Sequence, residues 1–182
     1  MFFSHYAFRK VMVAVILTEG LCFLSMKMVL ADDLPINFRG TVVAGACEVA
    51  SLSKNMDVIL GDIPTMYFGD AGDVSTAVPF TIDLNCPDGA SLKATVTFSG
   101  TTASDSTLLA LDTDVNVAKG VAVRINESDG TKISLGTASA VNSLVAGDNE
   151  LKFTAQYQAL VGRSEINAGS ANATAQFTLN YP

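Results

Sequence analysis

Catalysis needs a short list of side chains, and this chain is poor in them. Its one histidine, His5, and one of its three cysteines, Cys22, lie within the first 31 of 182 residues. The remainder holds Cys47 and Cys86, many Ser and Thr, and scattered aspartates that include Asp105, Asp112, Asp114, Asp129 and Asp148, all expected in loops. Without histidine, a Ser or Thr nucleophile needs a lysine or an N-terminal amine to activate it, and nothing in the spacing places one. A calcium loop needs several oxygen ligands at set intervals and a bidentate Glu. The stretch "DTDVNVAKG" opens with Asp112 and Asp114 but lacks the Gly and the Glu, so it reads as a solvated acidic loop. "GDAGD" lacks the Lys and the following helix of a phosphate loop. Asn126-Glu-Ser and Asn172-Ala-Thr match a glycosylation acceptor pattern that is common by chance. Tyr67 and Phe68 are adjacent aromatics in an expected loop, a pair that packs more often than it stacks on sugar. No catalytic or metal-binding residue is assigned, no cofactor is expected, and the chain is read as a non-enzyme.

The chemistry that remains is that of the two cysteines. Residues 1–31 read as a secretory signal peptide, with Arg9 and Lys10 before the mostly apolar run "VMVAVILTEGLCFLSMKMVLA" and Val29-Leu30-Ala31 at the cleavage site. Glu19 and Lys27 interrupt the run, so it is a poor transmembrane span. Cys22 leaves with the leader, and Cys47 and Cys86 form an even count behind an export signal. That pattern predicts one disulfide in an oxidising compartment; the alternative is two separate buried thiols. Removal of the leader takes three of 11 basic and one of 18 acidic residues, leaving 151 residues with a net charge of −9. A chain this acidic is not expected to bind nucleic acid or an anionic membrane. At 151 residues it can build a core without metals or a dense disulfide framework.

The elements that would position these residues are strands. "INFRGTVVAGACEV" reads as one long strand or as a strand broken at Ala44-Gly45, and "NMDVILGDI" as another that stops before Pro64. "STAVPFTIDLNC" runs into a Pro87-Asp88-Gly89 turn, from which "SLKATVTFSG" is expected to return as a hairpin partner. "KGVAVRINESDGTKISLG" reads as two strands about Ser128-Asp129-Gly130, and "NELKFTAQYQALV" alternates through Leu151, Phe153, Ala155 and Tyr157. "TTASDSTLLALDTDVN" could hold a short helical turn, but no amphipathic helix stands out and no internal repeat is present. Strands at this spacing predict an antiparallel sandwich.

Both ends of the mature chain carry the same pattern. In "ATAQFTLNYP", Ala173, Ala175, Phe177, Leu179 and Tyr181 alternate with polar residues, and no return strand is expected beyond Pro182 to cover the outer edge. In "DDLPINFRGTVV", Leu34, Ile36, Phe38, Gly40 and Val42 alternate with Pro35, Asn37, Arg39 and Thr41. On pattern alone the two ends either pair with each other inside one sandwich or each await another molecule.

The set of features resembles a chaperone–usher fimbrial (pilus) subunit, most like the minor subunits of type 1-like fimbriae. The resemblance covers 32–182 and rests on "INFRGTVVAGACEV", the cysteine in "VPFTIDLNCP", "FSGTTASDSTLLALD", penultimate Tyr181 and Gly169 fourteenth from the end. It implies an all-β, incomplete immunoglobulin-like sandwich that lacks its last strand and is completed by donor-strand addition. Residues 1–31 would be the signal peptide, 32–44 an N-terminal donor-strand extension carrying Leu34, Ile36, Phe38, Gly40 and Val42, and 45–182 the pilin domain. Gly169, Ala175, Phe177, Leu179 and Tyr181 would form the chaperone-recognition motif beside an open groove. Implied partners are a periplasmic chaperone, an outer-membrane usher and neighbouring fimbrial subunits. The mature chain is not expected to insert into a membrane; it passes through the periplasm to an extracellular fimbrium. The rank implied is minor or adapter subunit; the alternative is a one-domain adhesin whose loops bind a host glycan.

Overall fold

The computed structural model describes residues 45–88 and 93–182. The leader and the extension residues Leu34, Ile36, Phe38, Gly40 and Val42 lie outside the described residues. Eight strands are defined: β1 (Glu48–Val49), β2 (Val78–Cys86), β3 (Lys93–Gly100), β4 (Val121–Glu127), β5 (Lys132–Ile133), β6 (Asn142–Ser143), β7 (Gly147–Ala159) and β8 (Ala175–Asn180). They form two antiparallel sheets, one in the order β1-β2-β7-β4-β5 and the other β6-β3-β8. The fold is all-β, as expected. Its one α-helical turn among the described residues, α1 (Ser51–Lys54), follows β1.

The long strand β7 organises the first sheet, pairing β2 on one side and β4 on the other. Its period-two pattern explains this. Leu151, Phe153 and Ala155 are buried on one face, and Phe153 lies opposite Phe80 while Leu151 lies opposite Ile82. Phe98 of β3 closes the core from the second sheet, its ring 5.1 Å from that of Phe153 and nearly perpendicular to it. Phe80 joins them at 5.7 Å from Phe153 and 6.2 Å from Phe98. The two edge-on contacts, both made by Phe98, contribute about 0.5–1.5 kcal/mol each beyond simple burial.

Three expectations need correction. β2 and β3 are not a hairpin: they lie in different sheets. Both carry a fully apolar inward face, Ile82 and Leu84 on one and Ala94, Val96 and Phe98 on the other, and both faces are buried only when the strands oppose each other across the core. "NMDVILGDI" alternates as a strand should, yet residues 55–63 join no ladder among the described residues. Asp148 stands on β7, where its carboxylate accepts from the Asn85 amide at 2.7 Å. The turn between β4 and β5 forms where expected. Gly130 takes φ +87°, Glu127 exchanges backbone bonds with Thr131 and Gly130, and Asp129 accepts from the Thr131 amide.

The disulfide predicted between Cys47 and Cys86 is present, with both residues buried. It ties the residue before β1 to the end of β2. Beyond β1 the edge of β2 is closed by α1: Ala50 N–H donates to the Asp83 carbonyl, and the buried Ser53 hydroxyl accepts from the Asp83 amide, both at 2.9 Å.

Candidate functional site

β8 is where the sandwich stays open. It pairs only with β3, in a register that sets Val96 against Leu179 and Phe98 against Phe177, and its other edge has no backbone partner among the described residues. Phe177, Leu179 and Tyr181 turn to the main core yet are only half-buried, because none of the described residues pairs with them along the free edge. Ala175 is exposed.

The facing wall is the unpaired segment 56–63. Met56, Val58 and Leu60 pack half-buried against the core, while Ile59 on the outer face is 76% exposed. Gly61, at φ +77°, ends the alternation. Sequence reasoning took this segment for a paired strand. Its pattern was read correctly, but which edge a strand meets is not written in the pattern. Between the walls runs a groove of about 1060 Å³, with Phe80, Phe98, Leu109 and Val123 on its floor. A free strand edge above an apolar trough costs free energy in water twice over: in unpaired N–H and C=O groups, and in exposed hydrocarbon.

The chain leading into β8 is held firmly on its other side. Ser170 and Asn116 are bonded through the backbone, as are Ala118 and Ser170, at 2.8 Å each, and Asp112 N–H donates to the Asn172 carbonyl. Asp112 also accepts from the Thr174 hydroxyl, and Asp114 from that of Ser170. Asp105 braces Thr107 in the same way. These aspartates are loop braces; the carboxyls of Asp105 and Asp129 are held below the usual carboxylate range chiefly by their bonds to Thr107 and Thr131. Gly169 sits where the 167–170 segment crosses 116–118. A Cβ there would overlap the Asn116 carbonyl oxygen and lie 2.7 Å from the Ala118 nitrogen. Its requirement is close backbone approach, not an unusual φ. Gly169→Ala should therefore push the wall away from 116–118, destabilising the protein by about 2 kcal/mol or more. A lower urea midpoint would register this, and an unchanged midpoint would refute the packing account.

Two tyrosyl hydroxyls, whose bonds the sequence did not reveal, fasten this wall at both ends. Tyr157 OH donates to the Ala171 carbonyl at 2.9 Å, and Tyr181 OH donates to the Cys47 carbonyl at 3.1 Å, beside the disulfide. Burial raises both phenols above the usual tyrosine value, and the nearby Asp62 charge adds to the effect at Tyr157. Elsewhere, Asn126 is 1% exposed and hydrogen-bonded to Arg124 and Thr154, so its acceptor pattern is not a surface site. Phe68 is 3% exposed and Tyr67 63%, so only Tyr67 presents a ring outward.

A two-sheet sandwich with one strand position open along its last strand is the immunoglobulin-like architecture of pilus subunits. The family model for fimbrial proteins matches residues 36–182. The type-1 fimbrial protein A chain of Salmonella typhi is 37% identical, over 95% of this chain and 98% of that one. A fimbrial-like protein, FimF, of Salmonella typhimurium is 39% identical over 82% of this chain and 84% of its own. Among solved structures, an antigen and type I fimbria protein of Burkholderia pseudomallei superposes with a TM-score of 0.58 at 32% identity, covering 76% of this chain and 91% of that one. The chain belongs to the fimbrial protein family. It is a structural subunit of an extracellular surface pilus, built into the fibre with neighbouring subunits, and is not an enzyme.

Proposed function

We propose that this subunit polymerises by donor-strand exchange. The groove beside β8 receives an extended strand that bonds the free edge and fills the trough with alternate side chains. The single observation that carries the reading is the unpaired edge of β8 standing over an apolar groove of about 1060 Å³. In this account residues 1–31 are removed on export and residues 32–44 are the extension, whose Leu34, Ile36, Phe38 and Val42 enter the groove of the subunit ahead. Gly40 allows close backbone approach. A periplasmic chaperone occupies the groove first, against Gly169, Ala175, Phe177, Leu179 and Tyr181, and an outer-membrane usher exchanges its strand for the extension. The rank in this reading is minor or adapter subunit, while a relative 33% identical over 92% of the chain is described as a probable major fimbrial subunit; counting copies per fibre by quantitative mass spectrometry separates the two.

The test is Phe38→Asp in the full chain. The variant should fold and co-purify with the chaperone, because its own groove is untouched, but fail to join the subunit ahead, since an unpaired charge would enter an apolar trough. Fibres that incorporate the variant at the wild-type level would refute the exchange.

A further inference from the structure

The groove carries charge of one sign. Among the described residues Asp57, Asp62 and Asp112 line it, and no Lys, Arg or His does. Asp112 is occupied by Thr174, but Asp57 and Asp62 are exposed and make no hydrogen bond or ion pair among the described residues. Asp57 lies between Met56 and Val58, whose side chains point to the core, so its carboxylate stands on the outer rim. Asp62 follows the Gly61 turn and lies close enough to Tyr157 for its charge to raise that phenol.

A strand laid in this groove turns its inward residues to the trough and its outward residues to the rim. In residues 34–42 the outward positions are Pro35, Asn37, Arg39 and Thr41, and Arg39 is the single cation between Asp32 and Ala44. The acids Asp32 and Asp33 precede the alternating run, about 20 Å of extended chain from Arg39 at roughly 3.3 Å per residue. The charges of rim and strand are therefore complementary.

We propose that Asp57 and Asp62 are specificity determinants of the groove, selecting a strand with a cation on its outward face, and that residues 34–42 of a second copy of this chain, with Arg39 outward, are that strand. The inference rests on the strand-exchange reading and adds to it a rule of partner choice that apolar fit cannot supply, because alternating apolar faces are shared by many strands. Rim charges act mainly on the encounter rate, and the attraction is screened by salt.

The test measures uptake of a fluorescent peptide of residues 32–44 by the full chain at low and high salt. Arg39→Glu in the peptide should slow uptake about three- to tenfold at low salt, with the difference shrinking at high salt. Asp57→Lys with Asp62→Lys in the full chain should slow the wild-type peptide and restore the Arg39→Glu peptide. Both sites are exposed, so folding is not at stake. A Phe38→Asp peptide is the control. If it fails to enter while wild-type and Arg39→Glu peptides enter equally at both salts, the charge rule is overturned and strand exchange stands. If Arg39→Glu slows entry but the lysine pair does not reverse the preference, the assignment to Asp57 and Asp62 is overturned. If the wild-type peptide itself does not enter, both proposals fall.

Discussion

Fusing a copy of Asp32–Val42 behind Pro182 through a flexible linker should convert this subunit into a heat-stable monomer. Among the described residues no strand pairs the outer edge of β8 or the facing segment 56–63, and an apolar groove lies between them. A linked strand meets that position at an effective concentration of about a millimolar or more, far above what intermolecular supply provides in dilute solution. The added strand would bond the free N–H and C=O groups and cover Phe177, Leu179 and the Phe80–Phe98 floor at once. A melting temperature higher by about 10 °C is expected, equivalent to about 3–4 kcal/mol for a domain of this size. Phe38→Asp in the appended copy should abolish the gain, since burying an uncompensated carboxylate costs several kcal/mol. Calorimetry and size-exclusion chromatography of fused and unfused chains decide the matter. An unfused chain that is already monomeric and melts at the same temperature would mean that the groove needs no strand, and the exchange reading would be lost.

Cys47→Ser should lower the unfolding free energy by about 4 kcal/mol on the chain-entropy account, because the bridge closes a loop between residues 39 apart. The effect has a local component as well. Cys47 supplies the carbonyl that the Tyr181 hydroxyl bonds, and Cys86 Sγ accepts from the Asn149 amide at 3.4 Å. Losing the bridge therefore loosens the start of β1, the last residues after β8 and the end of β2 together. Periplasmic yield should fall sharply, through lost stability and poorer chaperone capture. Urea titration of oxidised wild type against Cys47→Ser measures the stability term. Coincident midpoints would show that the disulfide is dispensable to the fold, and peptide mapping that found both thiols free would remove its basis altogether.

Much of this molecule was legible before its structure. The alternation in "NELKFTAQYQALV" marked β7, the Ser128-Asp129-Gly130 turn marked the β4–β5 hairpin, and two cysteines behind an expected export signal marked the bridge. These are local signals: a period of two, a φ that only glycine takes easily, and a count. The inward residues Phe177, Leu179 and Tyr181 were likewise read from alternation alone, and they face the core as the pattern requires.

What the sequence determined by itself is the kind of the long strands β2, β3, β4, β7 and β8, the face each of them buries, and the family, through the joint occurrence of Cys47, Cys86, Gly169 and Tyr181. What only the tertiary structure decided is which edges meet. β2 and β3 looked like a hairpin because a turn separates them, but the need to bury both apolar faces sent them to opposite sheets. Segment 56–63 looked like a paired strand because its side chains alternate, but alternation reports side-chain faces and carries no information about backbone partners. The need for glycine at 169 and the two tyrosine ties to Ala171 and Cys47 were hidden for the same reason. Each depends on a backbone atom brought close by the folding of a distant stretch of chain, and a backbone atom leaves no mark on the residue type that carries it.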